Sequence, residues 1–118
     1  MLPKENRITK KKEFDSFFST EFKKRNGLNQ SGQFMILKTY KNNFGRARFG
    51  FIVNNKIDKN AVVRNKIKRQ LRKAIQDIFS NLKQFNDCLI IVKPQIKNKD
   101  FVDIKKEVEI LFKRTHLL

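Results

Sequence analysis

The sequence predicts a single α+β domain, and three observations support this prediction. The chain has 118 residues, a length that suits one domain with a modest core. Apolar residues recur at helical spacing in three segments, near the start, the middle and the end of the chain. Between the first two, residues 46–54 alternate like a β-strand with two different faces. Neither a repeat nor a linker divides residues 1–118 into smaller units.

The N-terminal part is predicted to be a basic arm, residues 1–9, followed by a helix over residues 10–22. Thr9 is the candidate N-cap of this helix, because a hydroxyl can accept a hydrogen bond from the first turn. Most rings of its apolar stripe should enter the core, but four rings exceed what one short helix needs, so one or two could line a groove. The stripe consists of Phe14, Phe17, Phe18 and Phe22.

Three strands are predicted next. Residues 28–30 could form a short edge strand, and residues 33–40 form the second strand. Residues 41–45 are predicted to be a hairpin turn that leads into the third strand, residues 46–54. On this strand, Arg46, Arg48 and Gly50 share one face. Because glycine carries no side chain, we expect room for a ligand beside the two arginines.

A strongly basic helix follows, with Asp58 or Asn60 as its cap and its end near residues 80–81. Its segment AVVRNKIKRQLRKA, residues 61–74, holds six cations and no carboxylate. Arg64, Lys68 and Arg72 succeed one another at four-residue steps, a spacing at which like charges repel. A helix face that repels itself indicates binding to a polyanion rather than a solvated surface. The opposite, apolar stripe consists of Val63, Ile67, Leu71, Ala74, Ile75, Ile78 and Leu82.

The C-terminal part is predicted to contain one buried strand and one helix. Residues 87–93 form the strand, which Pro94 ends. Because the basic helix lies between this strand and residues 46–54, a parallel crossover connection is expected. The last helix begins near Asp100, and Asp103 completes a weak capping box. Its carboxylates should face away from a bound polyanion, so that charge is segregated on the molecule.

Composition restricts the possible functions. Lysine and arginine number 28 against 11 acidic residues, and the net charge of +17 favours nucleic acid or an anionic membrane surface as partner. Cys88, the single cysteine, lies in the apolar run CLIIV and is expected to be a buried hydrophobe, so neither a disulfide nor a thiolate metal site is predicted. No apolar run approaches a membrane span and no signal peptide is recognisable, so we expect a cytoplasmic protein.

Protein-borne catalysis is not predicted. His116 has no partner in the sequence, and a glycine-rich phosphate loop is absent. Asp100, Asp103 and Glu107 could ligate a cation, but a charged helix start explains them more simply. The sequence therefore predicts neither a catalytic residue nor a metal site on the protein.

Several segments resemble the bacterial ribonuclease P protein component family. The segment AVVRNKIKRQLRKA is similar to the signature helix of that family, A-V-x-R-N-R-x-K-R-x-x-R. Lys66 replaces the second arginine of the Arg-Asn-Arg triplet, which keeps the charge but loses bidentate geometry. Residues 56–60 differ from the family's frequent Lys-Lys-x-Gly turn. The other similar segments, in chain order, are Asn6-Arg7-Ile8, Lys12-Glu13-Phe14 with Phe18, Arg48-Phe49-Gly50, and Lys56.

The resemblance implies a fold of order αβββαβα, in which helices pack on one mixed sheet. It also implies a left-handed βαβ crossover at the basic helix, against the usual right-handed rule. The implied function is that of a protein subunit that binds a catalytic RNA and assists endonucleolytic removal of the 5′ leader from precursor tRNA. The catalytic groups are then expected in the RNA subunit, which would also bind the Mg²⁺ ions.

The resemblance further implies two sets of RNA-contacting residues. Aromatic faces combined with cations suit a single strand, although packing in the core is an equal alternative for Phe18. The residues expected to contact the catalytic RNA are Lys56, Arg64, Asn65, Lys66, Lys68, Arg69 and Arg72. The residues expected to line a cleft for the 5′ leader are Arg7, Phe14, Phe18, Leu37, Arg46, Arg48, Lys68 and Arg72.

Two other hypotheses stay open. A generic basic RNA-binding or ribosome-associated protein would share the charge but would not require the leader cleft. A DNA-binding module could place the basic helix in a major groove, although neither a dimerisation element nor half-site spacing is evident. Action as a membrane-surface peptide is disfavoured, because the sheet needs the apolar face of the basic helix.

Overall fold

The computed structural model describes residues 2–118, so the first residue of the predicted basic arm lies outside the described residues. The strands are β1 (Leu28–Ser31), β2 (Met35–Lys41), β3 (Arg48–Ile52) and β4 (Asn86–Val92). The α-helices are α1 (Lys11–Asp15), α2 (Thr20–Lys24), α3 (Ala61–Ile78) and α4 (Phe101–Arg114). Short 3₁₀ turns lie at Lys4–Asn6, Ser16–Phe18, Phe79–Asn81 and Pro94–Ile96. With α1 and α2 counted as one broken helix, the predicted order αβββαβα is confirmed.

The first predicted helix is broken in the middle. Ser19 has an extended backbone, and its hydroxyl accepts a hydrogen bond from the Glu21 N–H, so it caps α2 instead of continuing α1. Serine favours such caps because its hydroxyl competes for backbone groups. The predicted cap at Thr9 is wrong: Lys10 occupies the N-cap position of α1, and its side chain makes no capping bond.

The four strands form one mixed sheet in the order β1-β2-β4-β3. β4 pairs antiparallel with β2 and parallel with β3, with Phe49 opposite Cys88, so the predicted parallel crossover is confirmed. Its left-handed sense stays a prediction from the resemblance. The predicted hairpin between the second and third strands is wrong, because β4 lies between them. A strand buried on both faces takes a central position, and six of the seven β4 residues are buried.

The sheet carries one core on each face. α3 and α4 cover the face that holds Leu37, Phe49 and Cys88. α1 and α2 cover the other face, on which Phe17, Tyr40 and Leu89 are buried with Ile8. Cys88 is buried as predicted, and burial raises the pKa of its thiol to about 12.

The two long helices begin where side-chain caps satisfy their free N–H groups. Asn60 Oδ1 accepts a hydrogen bond of 2.9 Å from the Val62 N–H at the start of α3. Asp100 Oδ1 accepts one of 3.0 Å from the Asp103 N–H at the start of α4. Between residues 2 and 118, no helix is long and apolar enough to span a bilayer. The buried stripe of α3 confirms the predicted periodicity and consists of Ile67, Leu71, Ala74, Ile75 and Ile78.

Glu107 differs from the other carboxylates of α4. It is buried, and its two oxygens accept the backbone N–H groups of Gln33 at 2.5 Å and Phe34 at 2.8 Å. This carboxylate therefore fastens α4 to the turn between β1 and β2. Its role in the fold is structural. Local patterns do not predict this contact, because the partners lie 74 and 73 residues away.

Candidate nucleic-acid interface

The polar face of α3 is a continuous cationic surface. Lys66, Arg69 and Lys73 are exposed together with Asn65, whereas Lys68 is half-buried. Within residues 2–118, no lysine or arginine of α3 forms an ion pair with a carboxylate. Asp77 is the first carboxylate on the helix, and it pairs instead with Lys105 of α4 at 3.3 Å. The positive charge on this face is thus left for an external partner.

Arg64 and Lys56 lie at the N-terminal end of the same helix. Arg64 Nη1 donates to the backbone carbonyls of Asp58 and Lys59, both at 2.9 Å, which secures the loop before α3. Asp58 in turn pairs with Lys97 at 2.9 Å, and the hydrogen bond from Lys97 lowers the pKa of Asp58. Lys56 is exposed in this loop. Part of the Arg64 guanidinium is therefore structural, while the other predicted contacts of α3 remain available.

A cleft of about 300 Å³ lies beside β3, the edge strand of the sheet, between α1 and α3. Arg7, Lys68 and Arg72 bring three cations to it, and the residues that line it include no carboxylate. The Arg72 guanidinium carbon lies 5.9 Å from the Phe51 ring centroid. Arg7 Nε is buried and has no hydrogen-bond partner among residues 2–118. The full lining is Arg7, Ile8, Thr9, Phe14, Phe49, Gly50, Phe51, Lys68 and Arg72.

Phe14 forms one wall of this cleft by packing on Gly50. A Cβ built at Gly50 would lie 2.8 Å from Phe14 Cε1, which is closer than side-chain carbons approach one another. The sequence predicts that the bare backbone of Gly50 leaves room for a ligand. The structure shows that the ring of Phe14 takes that space, so Gly50 positions a cleft wall.

Four residues predicted for the cleft do not line it. Leu37 is completely buried on the sheet face that packs against α3 and α4. Its neighbour Lys38 points to the other face, with its Nζ 5.5 Å from the Phe18 ring centroid. Successive strand residues point to opposite faces, so Leu37 faces the core while Lys38 faces the side of the sheet on which Phe18 lies. Phe18 is 59% exposed, which excludes core packing, but it lies beside Lys38 rather than in the cleft.

Arg48 is held in a buried ion network instead of facing the cleft. Its Nε and Nη2 donate to the two carboxylate oxygens of Asp87, at 2.9 and 2.6 Å. Its Nη1 donates to Glu13 Oε2 at 2.6 Å. The hydrogen bonds from Arg48 to Asp87 and Glu13 raise the pKa of Arg48 despite its burial. Local sequence patterns do not indicate that Asp87 and Glu13 are the partners of Arg48, because only the tertiary fold brings these side chains together.

Arg46 is exposed and lies away from the cleft, near the start of β3. Its Nε donates to the carbonyl of Glu5 at 2.8 Å, and its guanidinium carbon lies 5.6 Å from the Phe44 ring centroid. The residues predicted for the leader cleft therefore lie on different surfaces of the protein. The cationic face of α3 and the cleft are contiguous through Lys68 and Arg72, while Arg46 belongs to a different surface.

In residues 2–118, no three His, Cys, Asp or Glu side chains lie close enough to hold a metal ion.

Comparison with known proteins matches the sequence and the fold of this chain to one family. The family model for ribonuclease P matches residues 2–116. The ribonuclease P protein component of Syntrophomonas wolfei is 32% identical over 117 residues, which cover 99% of this chain and 92% of that protein. The one from Lactiplantibacillus plantarum is 34% identical over 117 residues, with coverage of 99% and 97%.

Solved structures agree with the sequence relatives. The RNase P protein of Staphylococcus aureus has a TM-score of 0.81 at 25% identity, covering 95% of this chain and 96% of that one. The RNase P protein of Thermotoga maritima has a TM-score of 0.77 at 21% identity, covering 92% and 96%, and shows the same fold. Because sequence and fold both match over almost the entire length, this chain belongs to the ribonuclease P protein component family.

Proposed function

We propose that this protein binds the RNA subunit of ribonuclease P through the polar face of α3 and holds the 5′ leader of precursor tRNA in the cleft beside β3. Membership of the family implies tRNA-processing ribonuclease activity and partnership with the ribonuclease P RNA. The observation that carries the proposal is the position of Lys68 and Arg72. Both belong to the cationic face of α3 and also line the cleft. One helix can therefore contact both RNAs at the point where they meet.

Contacts of α3 with the RNA subunit would be mainly to phosphates. The lysines and arginines on this face form no ion pair with a carboxylate in the described part of the chain, so no such pair has to be displaced. Their neutralisation by phosphate releases counterions from the RNA. Arg69 offers a planar guanidinium for bidentate phosphate contact, and Lys66 offers a point charge. The remaining proposed contacts are Lys56, Arg64, Asn65, Lys68 and Arg72.

The cleft suits a single strand rather than a duplex. Its volume of about 300 Å³ is too small for a duplex, and its wall offers the ring of Phe14. A base can stack on an aromatic face whatever its identity, while the cations of Arg7 and Lys68 contact the backbone. This combination predicts leader binding with little sequence preference.

We further propose that the protein contributes position and charge, with the catalytic groups and the Mg²⁺ ions located in the RNA subunit. The leader is present in the substrate and absent from the tRNA product, so binding it favours substrate over product. Protein cations near the cleavage site replace part of the counterion atmosphere, so less Mg²⁺ should be needed for cleavage. This function places the protein in the cytoplasm, where its RNA partners are made.

The proposal is tested by reconstitution. Purified protein is mixed with the ribonuclease P RNA of the same organism, and cleavage of a precursor tRNA is timed at low Mg²⁺. We expect the protein alone to be inert and the mixture to cleave at the mature 5′ end. Binding to that RNA no tighter than to any structured RNA, with cleavage unchanged, would contradict the proposal.

A variant distinguishes the leader cleft from general RNA binding. Phe14→Ala should weaken binding of leader-bearing precursor tRNA while affinity for mature tRNA and for the RNA subunit stays the same. Val102→Ala on α4 is a matched control, because this apolar side chain is 66% exposed and lies outside the cleft. A generic RNA-binding protein would lose affinity for all RNAs alike or for none.

A further inference from the structure

Two phenylalanine rings are exposed at the end of the sheet where β4 begins. Phe44 is 50% exposed and Phe85 is 56% exposed. Their loops are adjacent, since the Asn42 N–H donates to the Phe85 carbonyl at 3.2 Å. Neither ring lines the cleft. Large apolar side chains exposed together, in a protein of this charge, indicate a contact surface rather than a failure of packing.

Arg46 connects the two rings. Its guanidinium lies over the Phe44 ring, 5.6 Å from the centroid. It also lines, together with Phe85, a slot of about 110 Å³ whose other residues include no carboxylate. Among residues 2–118, its hydrogen bonds are to the backbone carbonyls of Glu5 and Phe44 only. The charge of Arg46 is thus not neutralised by an ion pair in the described part of the chain. The other residues of the slot are Asn6, Ala47, Phe79 and Leu82.

The loop that carries Phe44 is held in one conformation by a buried side chain. Asn42 Nδ2 donates to the Arg46 carbonyl at 3.0 Å and to Asp87 Oδ1 at 2.8 Å. Asn42 Oδ1 accepts from the Phe44 N–H at 3.0 Å. The Arg48 guanidinium carbon lies 4.1 Å from the Phe44 ring centroid. Phe44 is therefore presented to solvent in a fixed orientation, which lowers the entropic cost of binding a partner.

This surface and the cleft lie along the same outer edge of β3, where Arg7 forms a parallel bridge with Phe49. The segment 6–8 runs beside that edge: Asn6 Nδ2 donates to the Ala47 carbonyl at 2.7 Å, and the Ile8 N–H donates to the Phe49 carbonyl at 2.8 Å. From Ala47 at the slot to Gly50 at the cleft the strand advances three residues, about 10 Å at about 3.3 Å per residue. One extended strand of RNA could reach both.

We propose that Phe44, Arg46 and Phe85 form a second contact surface for single-stranded RNA, which binds unpaired nucleotides of the strand that leaves the cleft. The inference rests on the proposed function, because it extends the same leader beyond the cleft. The rings offer stacking platforms, and Arg46 offers a cation for the backbone or for stacking on a base. Stacking tolerates any base, so this surface responds to the length of the leader rather than to its sequence.

The test compares two precursor tRNAs bound to the reconstituted ribonuclease P holoenzyme. One carries a short leader that fills only the cleft, and the other carries the same leader extended by several unpaired nucleotides. We expect the wild type to bind the extended leader more tightly. Phe85→Ala and Arg46→Gln should each remove about fivefold or more of affinity for the extended leader, in line with stacking energies, and leave affinity for the short leader unchanged.

Two control variants separate the inference from the proposed function. Ile110→Ala, at an exposed apolar residue of α4, should leave both affinities unchanged. Phe14→Ala should weaken binding of both leaders if the cleft holds the leader, because Phe14 lines the cleft and lies outside α3. If Phe14→Ala has this effect while Phe85→Ala and Arg46→Gln leave affinity for the extended leader unchanged, the second surface is excluded and the cleft stands. If Phe14→Ala changes affinity for neither leader, the proposed function itself fails.

The same variants would also show whether a second copy of the chain, rather than RNA, binds this surface. If Phe85→Ala abolishes a dimer in light scattering and leaves leader affinity unchanged, the surface joins two copies of the chain, and the inference is overturned. Phe44→Ala is examined last, because loss of the ring also uncovers Arg48. Its thermal unfolding must match that of the wild type before its leader affinity is compared.

Discussion

Gly50 shows how a single residue determines the shape of the cleft. Phe14 Cε1 and Cζ would lie 2.8 and 3.0 Å from a Cβ at this position, and Ile8 Cβ would lie 3.3 Å away. The backbone of β3 is fixed by its pairing with β4, with Gly50 opposite Leu89. A larger residue at position 50 must therefore displace the ring, and the ring can move only away from the sheet.

Gly50→Ala is expected to lower the free energy of unfolding by about 1–3 kcal/mol through overpacking. Displacement of the Phe14 ring should also weaken binding of leader-bearing precursor tRNA by about fivefold or more, in line with one lost stacking contact. Affinity for the RNA subunit should stay within twofold, roughly the scatter of such measurements, because α3 is not touched. Both affinities are measured by titration of fluorescently labelled RNA. An equal loss for both RNAs would show that the substitution damages the whole fold instead.

Cys88 makes the free energy of unfolding depend on pH above neutrality. Its Sγ lies 3.3 Å from Thr39 Oγ1 in the core, and burial raises the thiol pKa from 9.0 to about 12. Between these two values the unfolded chain loses this proton and the folded chain keeps it. The contribution of this group to the free energy of unfolding is therefore present below pH 9.0 and decreases as the pH rises above it.

We expect this decrease to reach about 1.4 kcal/mol at about pH 10 relative to about pH 8. The measurement is urea unfolding of the wild type and Cys88→Ala at both pH values. Burial also raises the pKa of Tyr40, so the informative quantity is the difference between the two proteins. Identical pH profiles for both would contradict the assignment to Cys88.

At the scale of elements, one ion network joins the first helix to the sheet. Arg48 of β3 contacts Asp87 of β4 and Glu13 of α1, and the side chains of Arg48 and Asp87 are only 10% and 3% exposed. Glu13 immediately precedes Phe14, so this network also sets where the cleft wall lies. The short α1 has no buried residue of its own, and it depends on such tertiary contacts because five residues are too few for a stable isolated helix.

Arg48→Met should lower the free energy of unfolding by about 3–5 kcal/mol, because it leaves the Asp87 carboxylate buried with the Asn42 amide as its remaining side-chain donor. Glu13→Gln should cost only about 1 kcal/mol, since Glu13 is partly exposed and the glutamine oxygen can still accept from Arg48. Urea denaturation measures both variants. Equal costs would mean that the pair with Asp87 is not the dominant contact.

At the scale of the whole molecule, the lysines and arginines of α3 are left without carboxylate partners in the described part of the chain. The net charge is +17, yet the ion pairs in residues 2–118 involve lysines and arginines outside α3. Carboxylates are instead used for structure, as with Glu107 at the turn between β1 and β2. The free protein therefore repels itself along one face, and RNA binding should relieve this repulsion.

Affinity for the RNA subunit should fall linearly with the logarithm of salt concentration. Arg69→Gln on α3 should reduce the magnitude of that slope by about one, the value for a lost phosphate contact. Lys113→Gln, which removes an exposed charge from α4, is the matched control and should leave the slope unchanged. An identical slope for the wild type and Arg69→Gln would place the RNA on another surface.

The sequence by itself determined the features that depend on local periodicity and composition. The stripe of α3, the caps at Asn60 and Asp100, the burial of Cys88 and the unpaired cationic face all follow from residues within a few positions of one another. The parallel pairing of β3 with β4 was also predictable, because a helix connects them. The order of elements and the family followed from the resemblance, which rests on motifs such as residues 61–74.

Only the tertiary structure decided which side chains meet. The central position of β4, the side of the sheet that Leu37 faces, the ring of Phe14 over Gly50 and the ion network of Arg48 involve partners far apart in sequence. Arg48 and Asp87 are 39 residues apart. Such contacts depend on strand order and register, and a shift of one residue moves a side chain to the opposite face. Local patterns predict the elements, whereas packing between elements determines which residues line the cleft.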